Sequence, residues 1–170
     1  GGVACDGALL AVGAPGAVGT AQVRSGAVFV YKLVDTPWRN LRVLQAQLES
    51  KLVHAQNAAL DEYGTSLAVY AGVVAVGTPK YDYSGERSGI VHVYAERRHF
   101  DVELGANGRV LRVENPLEGE WHLVRKLDPI DAQRGQLFGY AVDIDMHGIV
   151  VGAVGAPSRT PDAQAFVFLP

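Results

Sequence analysis

With 170 residues, 48% of them hydrophobic and 19% charged, the chain is long enough for one domain with its own core. A net charge of −3 gives no electrostatic reason to bind nucleic acid, and the basic cluster Arg97-Arg98-His99 reads as a solvated loop. No apolar run reaches the length of a membrane helix, so no membrane insertion is expected, and the single cysteine, Cys5, excludes an internal disulfide framework or a cysteine zinc site.

In chain order, the opening "GGVACDGALLAVGAP" reads as two short apolar runs around an Asp6-Gly7 turn. A β-branched and aromatic run, "GAVFVY", follows at residues 26–31, and then a tryptophan with a leucine six positions on, Trp38 and Leu44. Residues 42–56, "RVLQAQLESKLVHAQ", place Leu44, Leu48 and Leu52 at helical spacing, and fit either a short helix or a strand running into a loop. "YGTSLAVYAGVVAVGTP" at 63–79 starts a second series, continued by "GIVHVY" at 89–94 and by Trp121 and Leu127. "FGYAVDIDMHGIVVGAV" at 138–154 starts a third, continued by "AQAFVF" at 163–168. The segment 95–120 interrupts the period. Within it, "HFDVELGANGRVLRVENP" predicts a hairpin turning at Gly105-Ala106-Asn107-Gly108.

The second and third series align without a gap, and the opening fifteen residues fit the same pattern from its third position. This is an internal repeat. Each unit reads as four short strands: aromatic-Gly-x-x-apolar, "VVAVG", "VxVY" and the Trp-to-Leu run. The expected fold is therefore all-β, with about three β-propeller blades of four antiparallel strands, because a lone four-stranded sheet cannot bury both faces. Gly64, Ser66, Ala68, Gly139 and Ala141 suit a crowded innermost strand. The expected division is a single segment, 1–170: a blade over 1–62 lacking its first strand, a blade over 63–137 carrying the insertion 95–120, and a blade over 138–170 lacking its last strand. That register implies a piece of a longer polypeptide, or one part of an oligomer or larger assembly.

The series "FG…VVGA", "GxVxVY" and "W…KL", clearest at residues 120–142, resembles the FG-GAP repeat of the integrin α-subunit propeller, in its calcium-free form. The resemblance implies a non-enzymatic scaffold for protein interaction or adhesion, extracellular or at the cell surface, with a protein or further blades of the same propeller as partner. The opening residues Gly1 to Ala4 show no secretory leader. Two alternatives stand beside that reading: an accessory propeller of a hydrolase or phospholipase-type enzyme, and an architectural subunit of an extracellular or ciliary-type assembly.

No metal or cofactor is expected. The turns that carry calcium loops in integrin-type blades are here "CDGA", "YAGV" and "DMHG", with at most two carboxylates each; Asp143 and Asp145 share a strand face but are too few. No catalytic residues are expected either. The five histidines fall at unrelated repeat positions, with His92 reading as a strand residue; Ser66 lacks a nucleophile motif, and Cys5 reads as a small buried residue. Up-and-down connectivity puts the loops 16–25, 80–88 and 155–162 on one face with the loops 45–62 and 128–137. The loop "KYDYSGERS" is the partner-binding candidate. It offers Tyr81 and Tyr83 as anchors and Asp82, Glu86 and Arg87 as charges.

Overall fold

A computed structural model describes residues 1–19, 23–39, 41–56, 58–96, 102–104, 110–113, 120–129, 131–155 and 163–169. The cluster Arg97-Arg98-His99, the turn 105–108 and most of the loop 155–162 lie outside them. Every regular element is a strand. The first sheet comprises β1 (Val3–Asp6), β2 (Leu9–Ala14), β3 (Ala27–Trp38) and β4 (Leu41–Leu52). The second comprises β5 (Ser66–Tyr70), β6 (Val73–Thr78), β7 (Ile90–Glu96) and β10 (Trp121–Leu127), with β8 (Val102–Leu104) and β9 (Val110–Val113) pairing as the expected hairpin inside the insertion. The third comprises β11 (Ala141–Asp145), β12 (Gly148–Ala153) and β13 (Gln164–Phe168). Each sheet is an antiparallel meander, and β1 and β11 both adjoin β5, so the three sheets stack as blades with their first strands innermost.

Burial follows from this stacking. The middle blade is covered on both faces, and β6 and β7 are buried almost throughout. The outer blades are covered on one face, so β1 and β11 alternate. One core, built on Val28, Val30, Leu52, Tyr63, Val74 and Tyr94, lies between the first and second blades. Another, built on Val91, Val93, Leu127, Phe138 and Val151, lies between the second and third.

The aromatic-Gly pairs join the blades. Tyr63 and Phe138 are fully buried, and their amides donate to Ser25 O and Ser88 O, at 3.0 and 2.9 Å, in the preceding blade. Gly26 and Gly89 face them in parallel bridges; a Cβ there would sit 2.2 and 2.1 Å from the carbonyl oxygens of Tyr63 and Phe138. Gly13 and Gly77 meet the next blade in the same way, with a Cβ falling 2.0 and 2.1 Å from Gly64 O and Gly139 O. The repeated glycines mark backbone-on-backbone contact between blades.

Of the two readings of residues 42–56, the strand running into a loop holds: β4 covers most of them. Three expectations are corrected. The first blade does not lack its first strand: Val3–Asp6 pairs with Leu9 to Val12, because pairing needs only the neighbouring strand, whereas the missing aromatic-Gly pair serves blade-to-blade anchoring. Trp38 and Leu44 are not the counterparts of Trp121 and Leu127. In the two blades Val28 pairs with Leu52 as Val91 pairs with Leu127, and both ladders bulge one turn of the pleat later, at Glu49 and at Val124. Trp38 instead ends β3, in a ribbon that runs out past the edge of β2. Cys5 is exposed, since the odd positions of β1 face away from the second blade.

Candidate interaction face

The described residues of the β2–β3, β4–β5, β6–β7 and β10–β11 connections lie at one end of the strands and are laced together by the backbone. Leu60 N donates to Arg24 O at 3.0 Å, joining the connection that precedes β3 to the one that follows β4; residues 45–52 of the expected loop 45–62 belong to β4 itself. Gly135 N donates to Glu86 O at 2.8 Å and Leu137 N to Arg87 O at 3.1 Å, joining 80–88 to 128–137. Lys80 Nζ pairs with Glu62 at 2.5 Å across two loops, and Arg134 with Glu86 at 2.6 Å.

The loop 80–88 is internally braced. Asp82 Oδ1 accepts the Arg87 amide at 2.7 Å, Ser88 Oγ accepts the Ser84 amide at 3.1 Å, and Gly89 N donates to Tyr81 O at 3.0 Å. Arg87 itself adopts φ +52°. Tyr81 and Tyr83 stack with ring centroids 6.3 Å apart and planes 25° apart. Tyr83 is 46% exposed, whereas Tyr81 is half-buried. Of the five residues singled out in the sequence, Tyr83 and Arg87 thus present side chains outward. Asp82 and Glu86 also hold the loop, and Tyr81 links the surface to what lies beneath.

Beneath Tyr81 lies a ring cluster that sequence reasoning missed. His92 sits 6.2 Å from Tyr81, 5.7 Å from Tyr63 and 4.3 Å from His54 between centroids. His92 is fully buried, with Nδ1 3.4 Å from Thr78 Oγ1 and no hydrogen-bond partner at Nε2 among the described residues. Burial, reinforced by His54 and Lys126, lowers its pKa to about 3, so the imidazole is neutral. His54 is lowered also, first by burial and then by Lys126. Asp61 is pushed the other way, to about 6, by burial; the Ala58 amide it accepts opposes that shift and Asp82 adds to it. One sequence signal could have located the cluster: the sheet position of His92 is held by Phe29 and Phe166 in the other blades.

The neutral His92 lies against the Thr78 hydroxyl, and Asp61 accepts a loop amide, so both are tied into the packing of this face. Asp145 Oδ1 accepts the His147 and Gly148 amides and Asp143 Oδ1 the Ile144 amide, so those carboxylates shape a turn. Among the described residues no three His, Cys, Asp or Glu side chains are grouped to hold a metal ion.

Residues 121–168 match the family model of the FG-GAP repeat. The match runs from β10 to β13, so it begins with the last strand of one blade and ends with the third strand of the next. No curated protein matches the chain.

Proposed function

With an FG-GAP repeat over residues 121–168 as premise, we propose that the chain is a non-enzymatic scaffold that binds a protein partner through the face bearing the loop 80–88. One observation carries this reading: a stacked tyrosine pair stands at the surface on a loop tied at both ends and across to its neighbour. Preorganisation lowers the entropy lost on binding, and tyrosine supplies contact area with few rotatable bonds. Asp82, Glu86, Arg87 and Arg134 supply a rim of mixed charge, which favours a polar protein surface over a polyanion. The typical setting of such repeats favours an extracellular or cell-surface location; among the described residues no helix is long and apolar enough to cross a membrane.

The test is photo-crosslinking in the native setting from a probe at position 83, with a second probe at the exposed position 8, in the β1–β2 turn at the opposite end of the strands. Capture of a defined protein from position 83 alone supports the face. Tyr83→Ala and Arg87→Ala should then weaken that complex by roughly tenfold each, with the thermal midpoint unchanged. Equal capture from both positions, or unchanged affinity in both variants, would remove the loop from the interface.

A further inference from the structure

The first sheet carries all four strands of a unit, so the free edge of β4 is the outer rim of a complete blade. β3 pairs with β2 only as far as Lys32, which lies opposite Gln47 on β4. Beyond that point β3 and β4 continue as a two-stranded ribbon, with Ala46 opposite Leu33 and Leu44 opposite Asp35. Two strands alone are marginal in water, whereas three or more with an apolar face hold together. On the outer strand the six residues 43–48, Val-Leu-Gln-Ala-Gln-Leu, are all exposed, and none is charged or proline. Among the described residues no strand pairs with their outer edge. Sheet rims are ordinarily blunted by charge, a bulge or shortness. The rim of the second blade has all three: β10 is seven residues long, carries His122, Arg125 and Lys126, and bulges at Val124. On β4 the bulge comes at Glu49, after the uncharged run has ended.

We infer that residues 43–48 of β4 pair antiparallel with the same residues of a second copy of this chain, about a two-fold axis at Ala46. The run is self-complementary in that register. A two-fold axis normal to the sheet opposes residues from the same face of each strand, and Ala46 then meets Ala46 of the second copy. Leu44 meets Leu48 on that face, twice, so two leucines that are 64% and 59% exposed in one chain cover each other in two. Gln45 meets Gln47 on the other face, where their side-chain amides can donate to and accept from one another. An axis at Gln45 would instead set Leu44 against Ala46 and leave Leu48 without an apolar partner. The pairing turns a two-stranded ribbon into a four-stranded sheet and leaves neither edge open over these residues, so the assembly closes at two chains. The ribbon projects from the end of the strands opposite the loop 80–88, which stays accessible.

The experiment is sedimentation equilibrium on the whole chain carrying Val167→Lys, so that the exposed face of the third blade is charged and takes no part. The mass should rise with concentration and level off at twice that of one chain. Six residues a side bury less than a standard interface of about 1,600 Å², so the rise is expected at roughly 10–500 µM. Ala46→Lys and Ala46→Glu each set like charges opposite one another at the axis and should each weaken the dimer at least about fivefold. An equimolar mixture of the two variants should restore it, because lysine then faces glutamate. Amide exchange over residues 43–48 should slow with concentration before these substitutions and not in either variant alone. Ala46 is exposed, so unchanged thermal midpoints in dilute solution verify that both variants fold. A single-chain mass up to about 1 mM would overturn the inference. So would a mass that passes two chains without levelling, undiminished association of the lysine variant, or a mixture no tighter than either variant alone.

Discussion

Single residues decide how closely the blades approach. At Gly89 the backbone has φ +83° and a Cβ would lie 2.1 Å from Phe138 O and 2.5 Å from Phe138 N, so neither neighbour can give way without breaking the bridge. Gly89→Ala should cost about 2 kcal/mol or more, read from the denaturant midpoint. Gly16→Ala, where nothing lies within 4 Å, should stay within about 0.5 kcal/mol. The buried histidine gives a pH signature. With a folded pKa of about 3 against 6.5, His92 stays neutral while the unfolded chain takes up protons, so its contribution is complete above 6.5 and is withdrawn as the pH falls towards 3. Asp61 acts in the opposite sense: with its pKa raised to about 6, the folded chain protonates first, and stability rises as the pH falls from 6 towards 3.8. His92→Phe installs the side chain of the sister blades. It should flatten the fall of the melting temperature between pH 6.5 and 4, or reverse it; an unaltered slope would show that the ring cluster does not govern acid stability.

At the level of elements, the fourth strands explain why pattern reading misplaced a boundary. Leu44, Leu48 and Leu52 are four apart, a spacing that fits one helix face and equally one strand face. The bulge at Glu49 then turns the strand over, leaving Leu48 59% exposed and Leu52 5% exposed. No local signal announces a bulge; it is set by pairing with β3. The apparent match of Trp38 with Trp121 failed for a related reason: the length of the β3–β4 ribbon beyond the blade is free to vary, so distance along the chain is a poor guide to ladder position. Trp121 packs on the first core without full burial. Trp121→Ala should therefore cost roughly 3 kcal/mol, at the low end for buried aromatics, in chemical denaturation.

For the whole molecule, the open faces of the outer blades govern behaviour in solution. Val3, Leu44 and Leu48 are exposed on the first blade, and Val150 and Val167 on the third. Two unlike apolar faces on one body favour head-to-tail contact. Light scattering should show a mass that rises with protein concentration, and Val167→Lys should lower that rise while leaving the melting temperature within about two degrees. A mass independent of concentration in the wild type would show that the faces are too small to associate. The loop face is independent of this behaviour, because it lies at the ends of the strands rather than on the blade surfaces.

The sequence alone determined the all-β class, the order of strands in the second and third blades and the equivalence of the aromatic-Gly pairs, because each rests on short-range physics: alternation along a strand, turn residues, and glycine where backbones touch. It also placed the loops 80–88 and 128–137 on one face, since antiparallel connectivity fixes the end at which each connection falls. Only the tertiary structure decided which blade is buried on both sides, where β4 turns over, and that His54, Tyr63 and His92 meet beneath Tyr81. His54 and Tyr63 come from the connection between β4 and β5 and His92 from β7, and their contact depends on how one blade lies on the next. That angle is set by the packing of whole sheets and leaves no trace in any local pattern.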